Sequence, residues 1–308
     1  MSSGSKPTRR CHWVPQAYLK AFAADNRKPP RIWRLSNQED DAELKRIDRV
    51  AVRNHLYVVR NKEGQRDDAQ EKRFADLEQF FSSKPWKALQ TGFVDLSNQS
   101  IRKMVALLAA TMFVRNPAHF ELSTRIHQSF VDAFTGPRGL PDAVIIGGKR
   151  IALDHSSWSE HANASEDDLK RNWFDMMNSC GDIAKMFLGM RWAMVASDEP
   201  VFITSDQPIT FLHPDLHFRG IKNLETSVIF PISPTRVLCM DHRHGEPANE
   251  YYAAQHDGAA INMLVWREAL EFMFSPRDPH EVCRQILKLE EDIAAGEGEG
   301  PTDRLDIS

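Results

Sequence analysis

At 308 residues and 42% hydrophobic content the chain can bury a sizeable core as one large domain or two small ones. Its 39 lysines and arginines face 43 aspartates and glutamates, a net charge of −4, so no global field draws it to nucleic acid or an anionic membrane. No apolar run is long enough to span a membrane, the polar opening Met1–Arg10 has no hydrophobic stretch behind it, and the four cysteines form no CxxC pair; together these predict a cytoplasmic protein with reduced thiols and neither signal peptide, zinc knuckle nor disulfide framework.

Residues 1–10 and 295–308 lack periodicity and are expected to be disordered tails, the second acidic, leaving a single domain over 11–294. Pro15 suits the start of a helix, and Tyr18, Leu19 and Phe22 then share one face, with His12 displayed just outside the helix start. Arg31–Leu35 and His55–Val59 read as short strands, with a turn over Asn61–Gln65. Phe74, Leu77 and Phe81 predict a helix over 70–90, and Ile101, Met104, Val105, Leu108 and Met112 a second over 98–114, capped by Ser97 or Asn98. Helical signal resumes over 119–134 and breaks in the Gly- and Pro-rich stretch Thr135–Pro141; Val144–Ile151 reads as a small hairpin. A long helix runs from Ser165, an N-cap before Glu166, Asp167 and Asp168, through Phe187. Strand-like runs follow at 192–196, 201–204 and 228–240, then helices over 250–274 and 279–294. Helices in runs with segregated strands predict a helix-rich α+β fold, helices packed on a mostly antiparallel sheet.

Four features carry the chemistry. Glu71 and Glu78 lie two helical turns apart, beside the apolar face of their helix, where a carboxylate can reach a cleft or simply remain on a solvated surface. Arg115 continues the buried stripe of Leu108 and Met112, so its fork must pair, either with Glu71 or Glu78 or with an anionic ligand. Asp206 stands at a strand end in the polar turn Thr204-Ser205-Asp206-Gln207-Pro208, a place for a ligand-binding carboxylate or for an Asx-turn. His12 is either a ligand or proton carrier, or a helix cap packed on Trp13.

The opening reads HxxPxxYLxxF from His12 to Phe22. With Glu71–Glu78, Arg115-Asn116-Pro117 and the TSDxP loop it resembles the bacterial domain of unknown function family 4238, over roughly Cys11 to Ser275. The resemblance implies a set of important positions and no reaction.

Imidazole plus carboxylates makes His12, Glu71, Glu78 and Asp206 a candidate acid–base set or hard metal site for Mg²⁺, Mn²⁺ or Zn²⁺. Arg115 is the candidate anion holder, and Tyr18, Thr204 and Ser205 complete the candidate substrate-binding set. There is no HExxH, EF-hand, Walker A or GxSxG motif, and the histidines of His213–His217 and Asp241–His244 read as loop residues. Trp13, Tyr18, Trp33 and Tyr57, interleaved with basic residues, suit stacking of a nucleotide or a short single strand. The expected function is therefore metal-dependent hydrolysis of a phosphoester, as a phosphodiesterase or nuclease. The alternative is a non-catalytic binding or sensor protein whose polar residues form a buried structural network.

Overall fold

A computed structural model describes residues 10–61, 63–135, 140–213 and 220–296. The two expected tails lie outside these residues except for Arg10, Ala295 and Gly296, as do most of the Thr135–Pro141 break and His217.

The chain opens with β1 (Arg10–His12) and the one-turn helix α1 (Gln16–Leu19), which a 3₁₀ turn extends to Phe22. Pro15 precedes the first helical residue with φ −57°, and Tyr18, Leu19 and Phe22 are wholly buried. β2 (Arg31–Ser36) and β3 (Glu43–Arg46) form an antiparallel pair, and β4 (Val52–Asn54) returns to pair with β1, setting His12 opposite Val52. The strand expected over His55–Val59 shrinks to β5 (Val59–Arg60), paired with β6 (Arg66–Asp67). His55 adopts a left-handed φ of 55°, which turns the chain, and the aromatic and aliphatic run after it packs inward as a turn.

The helix expected over 70–90 is two, α2 (Ala69–Glu78) and α3 (Lys84–Thr91), because Ser83 caps the second and Pro85 cannot continue the first. α4 (Gln99–Val114) begins at Asn98, whose side chain accepts the N–H groups of Ser100 and Ile101. α5 (Pro117–Phe134) follows after a two-residue corner, Arg115-Asn116, with Asn116 as its cap and Pro117 in its first turn. β7 (Ala143–Ile146) and β8 (Lys149–Ala152) form the expected hairpin, and the unforeseen α6 (His155–Ala162) is capped by Asp154. The long helix from Ser165 divides at Asn178-Ser179 into α7 (Glu166–Met177), which has the Ser165/Asp168 capping box, and α8 (Cys180–Gly189), which packs against α4.

The last third supplies the main sheet. β9 (Arg191–Ala196), the short β10 (Thr204–Ser205), β11 (Thr210–Leu212), β12 (Ser227–Ser233), β13 (Arg236–Asp241) and β14 (Glu250–Ala253) follow in turn. The order β11-β12-β13-β9-β14 is antiparallel except for β14, which runs parallel to β9. The helix expected over 250–274 is instead β14, α9 (Ala259–Arg267) and β15 (Phe272–Ser275). Gly258 is the reason at the front: its φ is +70°, and a Cβ there would lie 2.7 Å from the Phe202 ring. The second sheet, β10-β15-β2-β3, is antiparallel throughout and is flanked by α10 (Pro279–Ala294). The protein is thus α+β, with most strand pairs antiparallel. Among the described residues no helix is long and apolar enough to cross a membrane.

Two buried clusters follow the two sheets. The larger unites the opening segment, α4, α8 and one face of the five-stranded sheet; the smaller joins Leu35, Phe202, Met273 and the inner faces of α9 and α10. Truncating Phe202 to alanine should cost roughly 3–5 kcal/mol in urea unfolding. Gly258→Ala should also lower the midpoint, through the left-handed backbone and the same ring.

Candidate functional site

The opening helix and the Thr204–Pro208 turn meet in the core although they lie some 190 residues apart. The Tyr18 hydroxyl is 2.8 Å from Thr204 Oγ1 and donates at 2.7 Å to the Pro231 carbonyl. A carbonyl only accepts, so Tyr18 uses its one proton there and Thr204 donates to Tyr18. Full burial raises the Tyr18 pKa above the ordinary phenol range. Two residues on from Thr204, the Asp206 carbonyl accepts two side-chain donors, Trp13 Nε1 at 2.9 Å and Asn116 Nδ2 at 3.3 Å. Three of the motif segments therefore converge on a single backbone oxygen.

The Asp206 carboxylate points elsewhere. It accepts the N–H groups of Leu270 (2.9 Å), Glu271 (3.0 Å) and Phe272 (3.1 Å), while its own N–H donates to the Phe272 carbonyl. It closes the turn that leads into β15. Burial pushes its pKa up to about 6, against the pull of those three donors. Ser205 Oγ takes the Gln207 N–H at 3.1 Å, and Thr204, Ser205 and Asp206 are all buried.

Arg115 forms the second centre. It ends α4 and its side chain is 2% exposed. One arm donates to Glu78 Oε1 at 2.7 Å, the other to the His12 carbonyl, and the guanidinium stacks 4.5 Å from the Phe74 ring centroid. The Arg115 carbonyl accepts the Tyr57 hydroxyl at 2.6 Å. Burial works against the positive charge, but Tyr57 and Glu78 outweigh it and hold the group firmly protonated.

Around this pair sit groups whose protonation is perturbed. Burial pushes Glu71 up to about 7; Arg115 and a hydrogen bond with the Cys11 thiol favour its ionised form and Glu78 opposes it. Burial lowers His12 to about 4, Arg10 and Arg115 adding to the effect, so the imidazole is neutral at pH 7. Its Nδ1 lies 3.4 Å from Gln16 Nε2. His12 Nε2, Glu71 Oε2 and Arg115 Nε are buried and find no hydrogen-bond partner among the described residues.

The structure thus brings His12, Glu71, Glu78 and Arg115 to one cluster, and joins Asp206 to it through Trp13 and Asn116 rather than through its carboxylate. Among the described residues no group of three or more His, Cys, Asp or Glu side chains is arranged to hold a metal ion. Trp13, Tyr18 and Tyr57 are core residues. The sequence reading gave Cys11 and Asn116 no bonding role and offered Tyr57 as a stacking residue, whereas its hydroxyl serves the Arg115 carbonyl. Asn116-Pro117 carried the one usable signal, a cap residue ahead of a helix-starting proline directly after the candidate arginine.

An α+β protein whose polar motif residues knit a strand–helix opening to a distant turn is the class that this geometry defines. The family model described as a protein of unknown function (DUF4238) matches residues 10–279, and the chain belongs to that family. No curated protein and no solved structure matches it.

Arg115→Lys should lower stability by roughly 1.5–3 kcal/mol in urea unfolding, because a point charge cannot serve Glu78 and the His12 carbonyl together. Asp206→Asn should cost roughly 1–3 kcal/mol, since the amide NH₂ would face backbone donors. Glu71 gives a pH signature. With its pKa raised from 4.5 to about 7, the folded chain keeps a proton that the unfolded chain releases, so its contribution to stability is lost as pH rises through that window. Glu71→Gln should therefore track wild type near pH 5 and gain on it toward pH 8; the difference between the two melting curves isolates this group from Asp206 and His12.

Proposed function

We propose that the chain is a non-catalytic binding protein in which the opening motif, the Arg115-Asn116-Pro117 corner and the Thr204–Pro208 turn form a buried polar latch. One observation carries the reading: both arms of Arg115 and both oxygens of Asp206 are already engaged inside the chain. Freeing Arg115 for a phosphate would strand Glu78 and the His12 carbonyl, which a buried site tolerates poorly. The four unpaired cysteines support a reducing, cytoplasmic setting.

A second reading is favoured by a different observation, the unpartnered buried atoms of His12 and Glu71. Groups with shifted pKa values and open hydrogen-bonding positions are what acid–base chemistry needs. On that reading the chain is a metal-dependent phosphodiesterase or nuclease for a nucleotide or short single strand. Glu78 and His12 would help hold Mg²⁺, Mn²⁺ or Zn²⁺, with the remaining positions left to substrate and water, and the ion would supply charge neutralisation at the phosphate and an activated water. Glu71 would hold the transferable proton at Oε2.

Thermal unfolding separates the two. The binding reading expects a melting temperature indifferent to inorganic phosphate, AMP, a short oligonucleotide and Mn²⁺, singly and in combination, with Arg115→Lys clearly destabilised. A rise of several degrees with Mn²⁺ and nucleotide, abolished in His12→Ala, would overturn it in favour of the enzyme.

A further inference from the structure

The latch also frames a cavity. Between α4, α5, α8 and β11 lies a half-open space of about 440 Å³, walled by Phe113, His119, Leu122 and Phe211 together with isoleucine side chains, with Gln207 and Glu268 as its other polar groups. Its walls are placed by the latch residues themselves. Phe113 lies two residues before Arg115, His119 two after Pro117, and Gln207 stands between Asp206 and Pro208.

The chemistry of this space is specific enough to name a class of ligand. Phe113 packs at 4.6 Å against His119 and at 4.7 Å against Phe211, centroid to centroid, giving ring faces and edges that suit another ring. Burial lowers the His119 pKa, so its imidazole is uncharged at neutral pH. No lysine or arginine lines the cavity among the described residues, and Glu268, which pairs with Arg267 at 3.5 Å, brings no positive charge to it. The Gln207 backbone N–H is used by Ser205, whereas its side-chain amide makes no hydrogen bond among the described residues. The volume falls in the range of small-molecule pockets and is too small for a protein helix about 10 Å across.

We propose that this cavity binds a small, uncharged, ring-containing molecule carrying one hydroxyl or amide group, whose ring lies among Phe113, His119 and Phe211 and whose polar group meets Gln207. The proposal rests on the reading of the chain as a binding protein and gives that reading its site. It is distinct from the Arg115 cluster, and a phosphate would meet no lysine or arginine among its described lining residues.

The test uses 2-naphthol, neutral at pH 7, and naphthalene-1-sulfonate, its charged counterpart, with binding to the full chain followed by calorimetry. Saturable one-to-one binding of 2-naphthol is expected, with the sulfonate weaker by about tenfold or more. Leu122 is 47% exposed, so Leu122→Trp fills the cavity from the surface and should weaken 2-naphthol by about tenfold while leaving the melting temperature within a degree or two. Gln207→Leu should weaken it by several-fold, removing the hydrogen bond and keeping the apolar walls. Absence of saturable binding up to about 1 mM, equal affinity for the sulfonate, or affinity unchanged in Leu122→Trp would each overturn the proposal. None of these would touch the latch, whose fate is decided by the response to Mn²⁺ and nucleotide.

Discussion

A guanidinium with 2% of its side chain exposed has to be paired, and much of the molecule is arranged around that need at Arg115. Its carboxylate comes from the last turn of α2 and its carbonyl partner from β1, so one side chain at the end of α4 holds two other elements in place. Asn116-Pro117 stops α4 and starts α5 at once, which fixes the direction of the fork. Tyr57 then ties the loop before β5 to the same residue through its carbonyl. Pairing is demanded by electrostatics. Which partners answer it is decided by topology.

The same logic explains why the opening segment matters more than its length suggests. α1 spans only Gln16–Leu19 and has no side-chain cap, so it has little stability of its own. It is held by burial of Tyr18, Leu19 and Phe22 and by bonds to Thr204, Pro231 and the Asp206 carbonyl. Closing a connection of some 190 residues carries an entropic cost that grows slowly with length, so a few buried polar contacts suffice to set the register of this opening on the sheet. Directional bonds do what apolar contact alone cannot, since Tyr18 and Trp13 each have a polar atom that fits one place.

Local elements were legible in the sequence where they carried their own end signals. Asn98 and Ser165 marked helix starts, and the hairpin at 143–152 and the helix at 279–294 were read from pattern alone. The reading failed where tertiary packing overrode periodicity. Residues 250–274 carry enough apolar spacing for a helix, yet Gly258 against Phe202 and the parallel pairing of β14 with β9 divide them. At the site, the sequence identified Arg115 as a residue needing a partner and offered Glu78 as one of two, because both faces could be drawn from helical geometry. It could not show that Asp206 turns its carboxylate toward Leu270, Glu271 and Phe272, since those residues sit in a stretch read as helix whose N–H groups would then have been occupied.

The Asp206 turn is where scaffold and cavity become one problem. Its carbonyl is held by Trp13 and Asn116 and its carboxylate by three backbone N–H groups, so the residue has almost no freedom left. Gln207, next in the chain, inherits that rigidity, and Ser205 fixes its backbone N–H from behind. With the backbone already fixed, only the Gln207 side-chain rotamers remain to be ordered when it meets a ligand, which is the usual reason for building a binding contact on an over-determined backbone. The polar latch and the apolar cavity need not be rival explanations of the motif loop. The residues that close the core at Asp206 are the ones that hold Gln207 still.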